Sequence, residues 1–226
     1  MFKKIILLGR SNCKSTLRIY KFLKKNSKKL LFFESSFDHK KKKFTKKELQ
    51  NCDYIISFRG LFILSNKIIQ TPKYGSINFH AGPPEYRGGG AVNFSILNNE
   101  KSFGCTAHLM TEKIDFGPII NVKRFPILKS DKVENILIKL YLKMEKQAII
   151  IFKKLLKDPK NLNMMIKSNQ KIKWSKKINT TKDLEALKKL DLKMNNSTFL
   201  RRILATDYKK YKPYIFVKKK KFILAE

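Results

Sequence analysis

The sequence predicts an α/β protein: an open, mostly parallel sheet with helices on both faces, followed by a small C-terminal region of short helices and a β-hairpin. Three observations predict it. Short apolar runs alternate with helix-period segments over the first 125 residues, one long amphipathic helix follows, and two strand-like runs flank a lysine tract near the C-terminus.

Ile5 to Leu8 is a short, wholly apolar run ended by Gly9, the pattern of a strand buried on both faces. Leu17, Tyr20, Phe22 and Leu23 recur at helical spacing, and Leu30 to Phe33 repeats the buried-strand pattern. Thr45-Lys46-Lys47-Glu48 is a capping box that opens a short helix. Tyr54 to Phe58, Gly75 to His80, Phe103 to Met110 and Ile119 to Phe125 supply the third to sixth strands. Asp131 is the expected cap of the long helix, with Glu134 three residues on, and Val133, Ile136, Leu140, Tyr141, Met144, Ala148, Ile151, Phe152 and Leu155 form its apolar face. Asp158-Pro159 ends it, and the domain boundary is placed near residue 165, giving domains 1–165 and 166–226. Beyond it lie short helices near Asp183 to Lys189 and Thr198 to Ala205. Strand-like runs Tyr214 to Val217 and Phe222 to Leu224 follow, with Lys218 to Lys221 as an exposed turn between them.

Composition narrows the function classes. Of 226 residues, 51 are Lys or Arg and 17 Asp or Glu, a formal net charge of +34, yet 42% are hydrophobic and 17 are Phe, enough for a packed core rather than a basic disordered tail. Only seven cations are Arg, and the 44 Lys are spread through every segment, so the charge reads as composition more than as a nucleic-acid footprint. No apolar run reaches the length of a membrane span, and the stretch after Met1-Phe2-Lys3-Lys4 is too short for a signal-peptide core, so the expectation is a soluble, cytoplasmic protein. Cys13, Cys52 and Cys105 are odd in number and lack metal-ligand spacing, as reduced thiols do.

Two segments bear on chemistry. Gly9-Arg10-Ser11-Asn12-Cys13-Lys14-Ser15-Thr16 has the look of a phosphate loop but fails its spacing, because Cys13 stands where a Gly must precede Lys14 and Gly9 is one position too close. It reads as an ordinary strand-to-helix turn. The second segment is richer. In a strand, Asn78 and His80 project from the same face, at the carboxyl end where open α/β sheets bind ligands. A Gly/Pro loop follows, Gly82 to Gly90, and downstream Ile114-Asp115-Phe116-Gly117 sets a carboxylate in a turn before the next strand. Each piece alone also reads as structural. Together, an Asn that donates, a His that takes a proton and an Asp that orients the His suit attack of an amine on a carbonyl.

This ordered set, Asn78, His80, Pro84, Tyr86, Arg87, Gly88, Thr106, His108, Asp115 and Gly117, resembles the signature of the formyltransferases that use N10-formyltetrahydrofolate. The nearest resemblance is to the nucleotide-sugar N-formyltransferases, through Gly82-Pro83-Pro84-Glu85-Tyr86, Asn93-Phe94, Val122 to Pro126, Phe199 to Ile203 and Tyr214-Ile215-Phe216. The resemblance implies the Rossmann-like formyltransferase fold and direct transfer from N10-formyltetrahydrofolate to a primary amine, with no metal and no covalent enzyme intermediate. The amine is most simply that of a dTDP- or UDP-linked amino sugar. It further implies that Asn78 and His80 stabilise an oxyanion and Asp115 orients His80. The folate is expected beside Phe58, Arg59, Gly60, Leu61, Ile114 and Asp115, and the acceptor beside Pro84, Tyr86, Arg87 and Gly88. His108 is expected either beside Asp115 or as a satisfied strand histidine. The sister branch, methionyl-tRNA formyltransferase, is the alternative. That branch carries Gly-Thr-Pro after the first strand, Ser-Leu-Leu-Pro after the His and a C-terminal barrel, where this chain has Gly9-Arg10-Ser11, Gly82-Pro83-Pro84 and 61 residues past the boundary. A basic RNA-binding module on the same fold is the non-enzymatic alternative, and a homodimer through the apolar hairpin is the oligomeric expectation.

Overall fold

Alternating burial in the first strand sets the architecture. In β1 (Phe2–Arg10), Ile5 and Leu7 enter one apolar cluster while Ile6 and Leu8 enter another on the opposite face, so the sheet is covered on both sides from its first strand. The computed structural model describes residues 1–38, 42–209 and 212–224. After β1 come α1 (Lys14–Lys25), β2 (Ser27–Ser35), α2 (Lys46–Leu49), β3 (Tyr54–Phe58), α3 (Asn66–Ile69) and β4 (Gly75–His80). Then follow β5 (Arg87–Gly88), α4 (Ala91–Leu97), β6 (Ser102–Leu109), β7 (Ile119–Pro126), α5 (Val133–Lys157) and α6 (Asn161–Ser168). The chain continues through β8 (Ile178–Asn179), α7 (Thr181–Lys188), β9 (Lys189–Leu190), α8 (Asn196–Thr206), β10 (Tyr214–Val217) and β11 (Lys220–Ile223).

The central sheet has the order β2-β1-β3-β4-β6-β7. Its first three pairings are parallel, and β4–β6 and β6–β7 are antiparallel. The register places Asn78 opposite His108 and His80 opposite Thr106, so β6 brings a second histidine to the face that carries the first. Under α1 and α5 lies the larger cluster, in which Ile19, Leu23, Phe79, Met144, Phe152 and Leu155 are buried. Of the three cysteines, all are free and buried. Among the described residues no helix is long and apolar enough to cross a membrane.

Two expectations are corrected. Asp131 does not cap α5: its carboxylate accepts from Leu128 N at 2.8 Å and pairs with Lys139 at 2.6 Å, while Lys132 takes the cap position and its amide donates to Asn135 Oδ1 at 3.0 Å. The hairpin turn is tighter than Lys218 to Lys221. Lys218 and Lys219 both have positive φ, 46° and 65°, as a two-residue hairpin turn requires, and Lys220 and Lys221 already pair in β11. The Thr45–Glu48 capping box forms as expected.

Candidate active site

The carboxyl ends of β1, β3 and β4 open onto a cavity of about 390 Å³, within the range of small-molecule sites. Asn78, His80, His108 and Asp115 line it, together with Arg10, Arg59, Gly60, Leu61, Met110 and Ile114 among others. Asn78 and His80 come from β4, two residues apart on one face, and His108 from the neighbouring antiparallel strand. Asp115 comes from the turn after β6. That turn depends on Gly117, where a Cβ would collide with the Leu109 carbonyl; its absence lets Leu109 N donate to Pro118 O at 2.9 Å and start β7.

Asp115 is the hub. Its Oδ2 pairs with His80 Nδ1 at 3.1 Å and accepts from Gly88 N at 3.1 Å; its Oδ1 accepts from Asn78 Nδ2 at 3.2 Å and lies 3.5 Å from His108 Nε2. The backbone there is left-handed, with φ 46°, a conformation that costs a non-glycine residue about 1–3 kcal/mol. Burial works against ionising the Asp115 carboxyl, but the charge of His80 and hydrogen bonds from His108 and His80 outweigh it and hold the group well below the ordinary carboxylate range. Burial likewise pulls the His80 value down, and the attraction of Asp115, with hydrogen bonds to Asp115 and the Tyr86 carbonyl, reverses this and raises it.

His80 therefore sits as a donor at both nitrogens: Nδ1 toward Asp115, and Nε2 toward Tyr86 O at 2.8 Å. A ring that donates twice cannot accept a proton. The Asn78 amide is similarly engaged, with Nδ2 within 3.1 Å of His108 Nε2 as well as donating to Asp115. His108 Nδ1 lies 2.7 Å from the Leu109 carbonyl, and its Nε2 stands between the Asn78 amide and the Asp115 carboxylate.

The other expected residues divide. Arg59, Gly60, Leu61 and Ile114 line the cavity; Phe58 does not, being fully buried with its ring 5.7 Å from Phe79. Of the loop residues expected at the acceptor, only Gly88 lines the cavity. Pro84 and Tyr86 are buried, and the Tyr86 hydroxyl donates to Glu100 at 2.6 Å. Arg87 is 7% exposed because its guanidinium is spent on backbone: Nε donates to Asp115 O and Nη2 to Ile114 O, both at 2.8 Å, and Nη1 to Ser175 O at 3.1 Å. Its fork reaches three carbonyls at once, and the Phe116 ring covers it at 4.4 Å. Arg59 is likewise committed, donating to Cys13 Sγ at 2.9 Å and lying 3.5 Å over the Tyr141 ring. Sequence reasoning missed Trp174, whose Nε1 donates to Gly117 O at 2.7 Å and whose ring meets both imidazoles. Its one signal was that it is the single Trp of the chain, isolated in a lysine-rich stretch.

Fold and cluster together define an open α/β protein with an Asn-His-Asp constellation over a cavity at the carboxyl edge of the sheet, the place where such sheets bind ligands. A family model described as "Formyl transferase" matches residues 10–151, well over half of the chain, and the chain belongs to that family. A methionyl-tRNA formyltransferase of Listeria welshimeri is 41% identical over 70 residues, which are 30% of this chain and 22% of that protein, so the likeness spans under a quarter of the relative's length. A sugar N-formyltransferase from a Shewanella species has a similar structure, with a TM-score of 0.72 and 19% identity over 98% of this chain and 96% of that one. An N-formyltransferase from Helicobacter canadensis, solved with folinic acid and dTDP-3-aminofucose, aligns with a TM-score of 0.65 and 20% identity over 97% and 85% of the two chains.

Proposed function

We propose that this protein transfers a formyl group from N10-formyltetrahydrofolate to the primary amine of a nucleotide-linked amino sugar. The observation that carries this reading is the convergence of Asn78, His80 and Asp115 on one wall of the 390 Å³ cavity. Support for the donor comes from the rest of the lining. Leu61, Phe62, Leu64, Ile69 and Met110 offer apolar surface beside the backbone of residues 59–64 and 110–114, which suits a flat ring with hydrogen-bonding edges. Support for a sugar acceptor is at the level of the fold, because the likeness to sugar N-formyltransferases runs through nearly the whole chain.

The donor, when bound, supplies an electrophilic formyl carbon. His80, charged and donating, stabilises the negative charge that develops on the formyl oxygen, and Asn78 adds a second donor. Each must first turn from a partner it now holds, His80 from the Tyr86 carbonyl and Asn78 from Asp115 or His108. Asp115 keeps the imidazole oriented and charged, and by way of this buried carboxylate the proton of the attacking amine would pass to N10 of the donor as the bond from N10 to the formyl carbon breaks and tetrahydrofolate leaves.

A substrate panel tests the reading: N10-formyltetrahydrofolate offered with dTDP- and UDP-linked amino sugars, charged initiator tRNA and glycinamide ribonucleotide, with the formylated product identified by mass. Formylation of a sugar nucleotide is the expected result. Formylation of methionyl-tRNA alone would overturn the acceptor. Transfer to none of them, with RNA binding that collapses as salt rises, would replace the enzyme with a binding module.

A further inference from the structure

We propose that the segment from Trp174 to Asn179 is a strap that holds the polar cluster in its working geometry, with Trp174 and Arg87 as positioning residues; this rests on the formyl-transfer reading above. The strap lies beyond the residues 10–151 that the family model matches, and yet Trp174, Ser175, Ile178 and Asn179 each touch the cluster or its supports. Trp174 Nε1 donates to the Gly117 carbonyl at 2.7 Å, pinning the turn that carries Asp115. Its ring packs edge-on against His108, centroids 5.0 Å apart at 82°, and against His80 at 6.0 Å and 66°. Trp174 is absent from the cavity wall that both histidines line, so it meets the imidazoles from a different side and leaves the cavity open to ligands.

One residue on, Ser175 N donates to Pro84 O at 2.9 Å and Ser175 O accepts from Arg87 Nη1 at 3.1 Å. Ile178 and Asn179 then pair in parallel with Arg87 and Gly88, and Gly89 N donates to Asn179 O at 2.9 Å. Gly88 has φ 80°, and a Cβ there would collide with the Asn179 carbonyl, so glycine is what lets the strap lie this close. Arg87 is the clasp. A single guanidinium joins the strap, through Ser175, to the carbonyls of Ile114 and Asp115, while Gly88 N donates to the Asp115 carboxylate. The left-handed turn at Asp115 is thus held from the strap side, by Trp174 and Arg87, neither of which lines the cavity.

The test compares the full-length chain with Trp174→Ala, Trp174→Phe and Arg87→Lys, reading kcat and donor KM across pH with N10-formyltetrahydrofolate, and separately the NMR titration of the His80 imidazole without substrate. Trp174→Ala and Arg87→Lys should each lower kcat about 10- to 100-fold while donor KM changes less than about 3-fold, the pattern of a displaced catalytic group. The His80 titration should fall toward the ordinary 6.5 in both, as its bond to Asp115 loosens. Trp174→Phe keeps a ring against the imidazoles and should retain kcat within about 5-fold, the cost of one hydrogen bond. An unchanged His80 titration and full kcat in folded Trp174→Ala, or in Arg87→Lys where Trp174→Ala does not fold, would overturn the proposal. The titration needs no turnover, so the strap can fail while formyl transfer stands, and a wild-type chain inactive on every acceptor can still show the strap at work.

Discussion

Asp115 takes donors from His80, Gly88 and Asn78 through two oxygens, and its replacement by Asn removes the charge that keeps His80 protonated. Asp115→Asn should therefore lower turnover by about 10² to 10⁴, and Asn78→Ala by about 10² to 10³, with unchanged circular dichroism. Near-normal formylation in either variant would remove the assignment. The same pair makes stability depend on pH. Because the His80 value is raised, the pair's contribution is complete below the ordinary histidine value of 6.5 and is lost as pH rises through the raised one. Because the Asp115 value is lowered, the contribution is complete above the ordinary 3.8 and is lost as pH falls toward the lowered one. The gap in melting temperature between wild type and Asp115→Asn should be widest between those two ordinary values and narrow in alkali; a gap that grows in alkali would contradict the charged pair. Asn78 and His80 were legible from sequence because a period of two puts them on one face whatever the sheet does around them. Residue type reveals the fork of donors that suggests Arg87 as an acceptor contact, but not that three backbone carbonyls lie within its reach. Trp174 was missed because nothing local in a lysine-rich loop tells which turn it will meet.

Elements that repeat a long pattern were readable, and those built from tertiary contact were not. The helix α5 runs 25 residues and buries Val133, Ile136, Leu140, Met144, Ala148, Ile151, Phe152 and Leu155, as its spacing foretold. Its cap was displaced because the carboxylate of Asp131 finds a better partner in Lys139, eight residues on, than in the first turn. The two-residue strands β5, β8 and β9 exist only through pairing and leave no periodicity to read. The short helices α3, α4 and α6 fall below the length at which spacing speaks clearly, and α4 is held partly by Asn93 Nδ2 donating to Ala205 O of α8 at 2.6 Å. The packing of α5 on the sheet makes a direct prediction. Phe152 is 1% exposed and meets the rings of Phe22 and Phe79, so it joins α5 to α1 and to β4, the strand that carries Asn78 and His80. Phe152→Ala should cost about 3–5 kcal/mol in urea unfolding, with the slope of the transition unchanged. A loss under about 1 kcal/mol would mean that the sheet face collapses into the gap and that α5 does not brace the site.

At the scale of the whole molecule, the net charge of +34 sits almost entirely on the surface. Among the described residues the buried Lys and Arg are Lys4, whose ammonium donates to the Lys47 and Gln50 carbonyls at 2.9 and 2.8 Å, and Arg87, whose guanidinium is spent on three backbone carbonyls. The remaining described lysines and arginines lie at or near the surface, where their summed field acts at long range. A donor with a carboxylate tail and an acceptor with a diphosphate would both be drawn in by that field, which raises encounter rates without adding a contact. The chemistry proposed for Asn78, His80 and Asp115 is different, because the cluster is largely buried and its charges are paired at close range. Salt should therefore separate the two. Raising ionic strength from about 0.01 M to 0.15 M shortens the screening length from about 30 Å to about 8 Å. Over that range kcat/KM for a sugar diphosphate nucleotide should fall about tenfold while kcat moves less than about twofold. The same amino sugar without its diphosphate should lose far less. Equal salt sensitivity in kcat and kcat/KM would place the effect of the charge on the cluster or on folding, and equal sensitivity of the two acceptors would show that the surface field does not steer the acceptor at all.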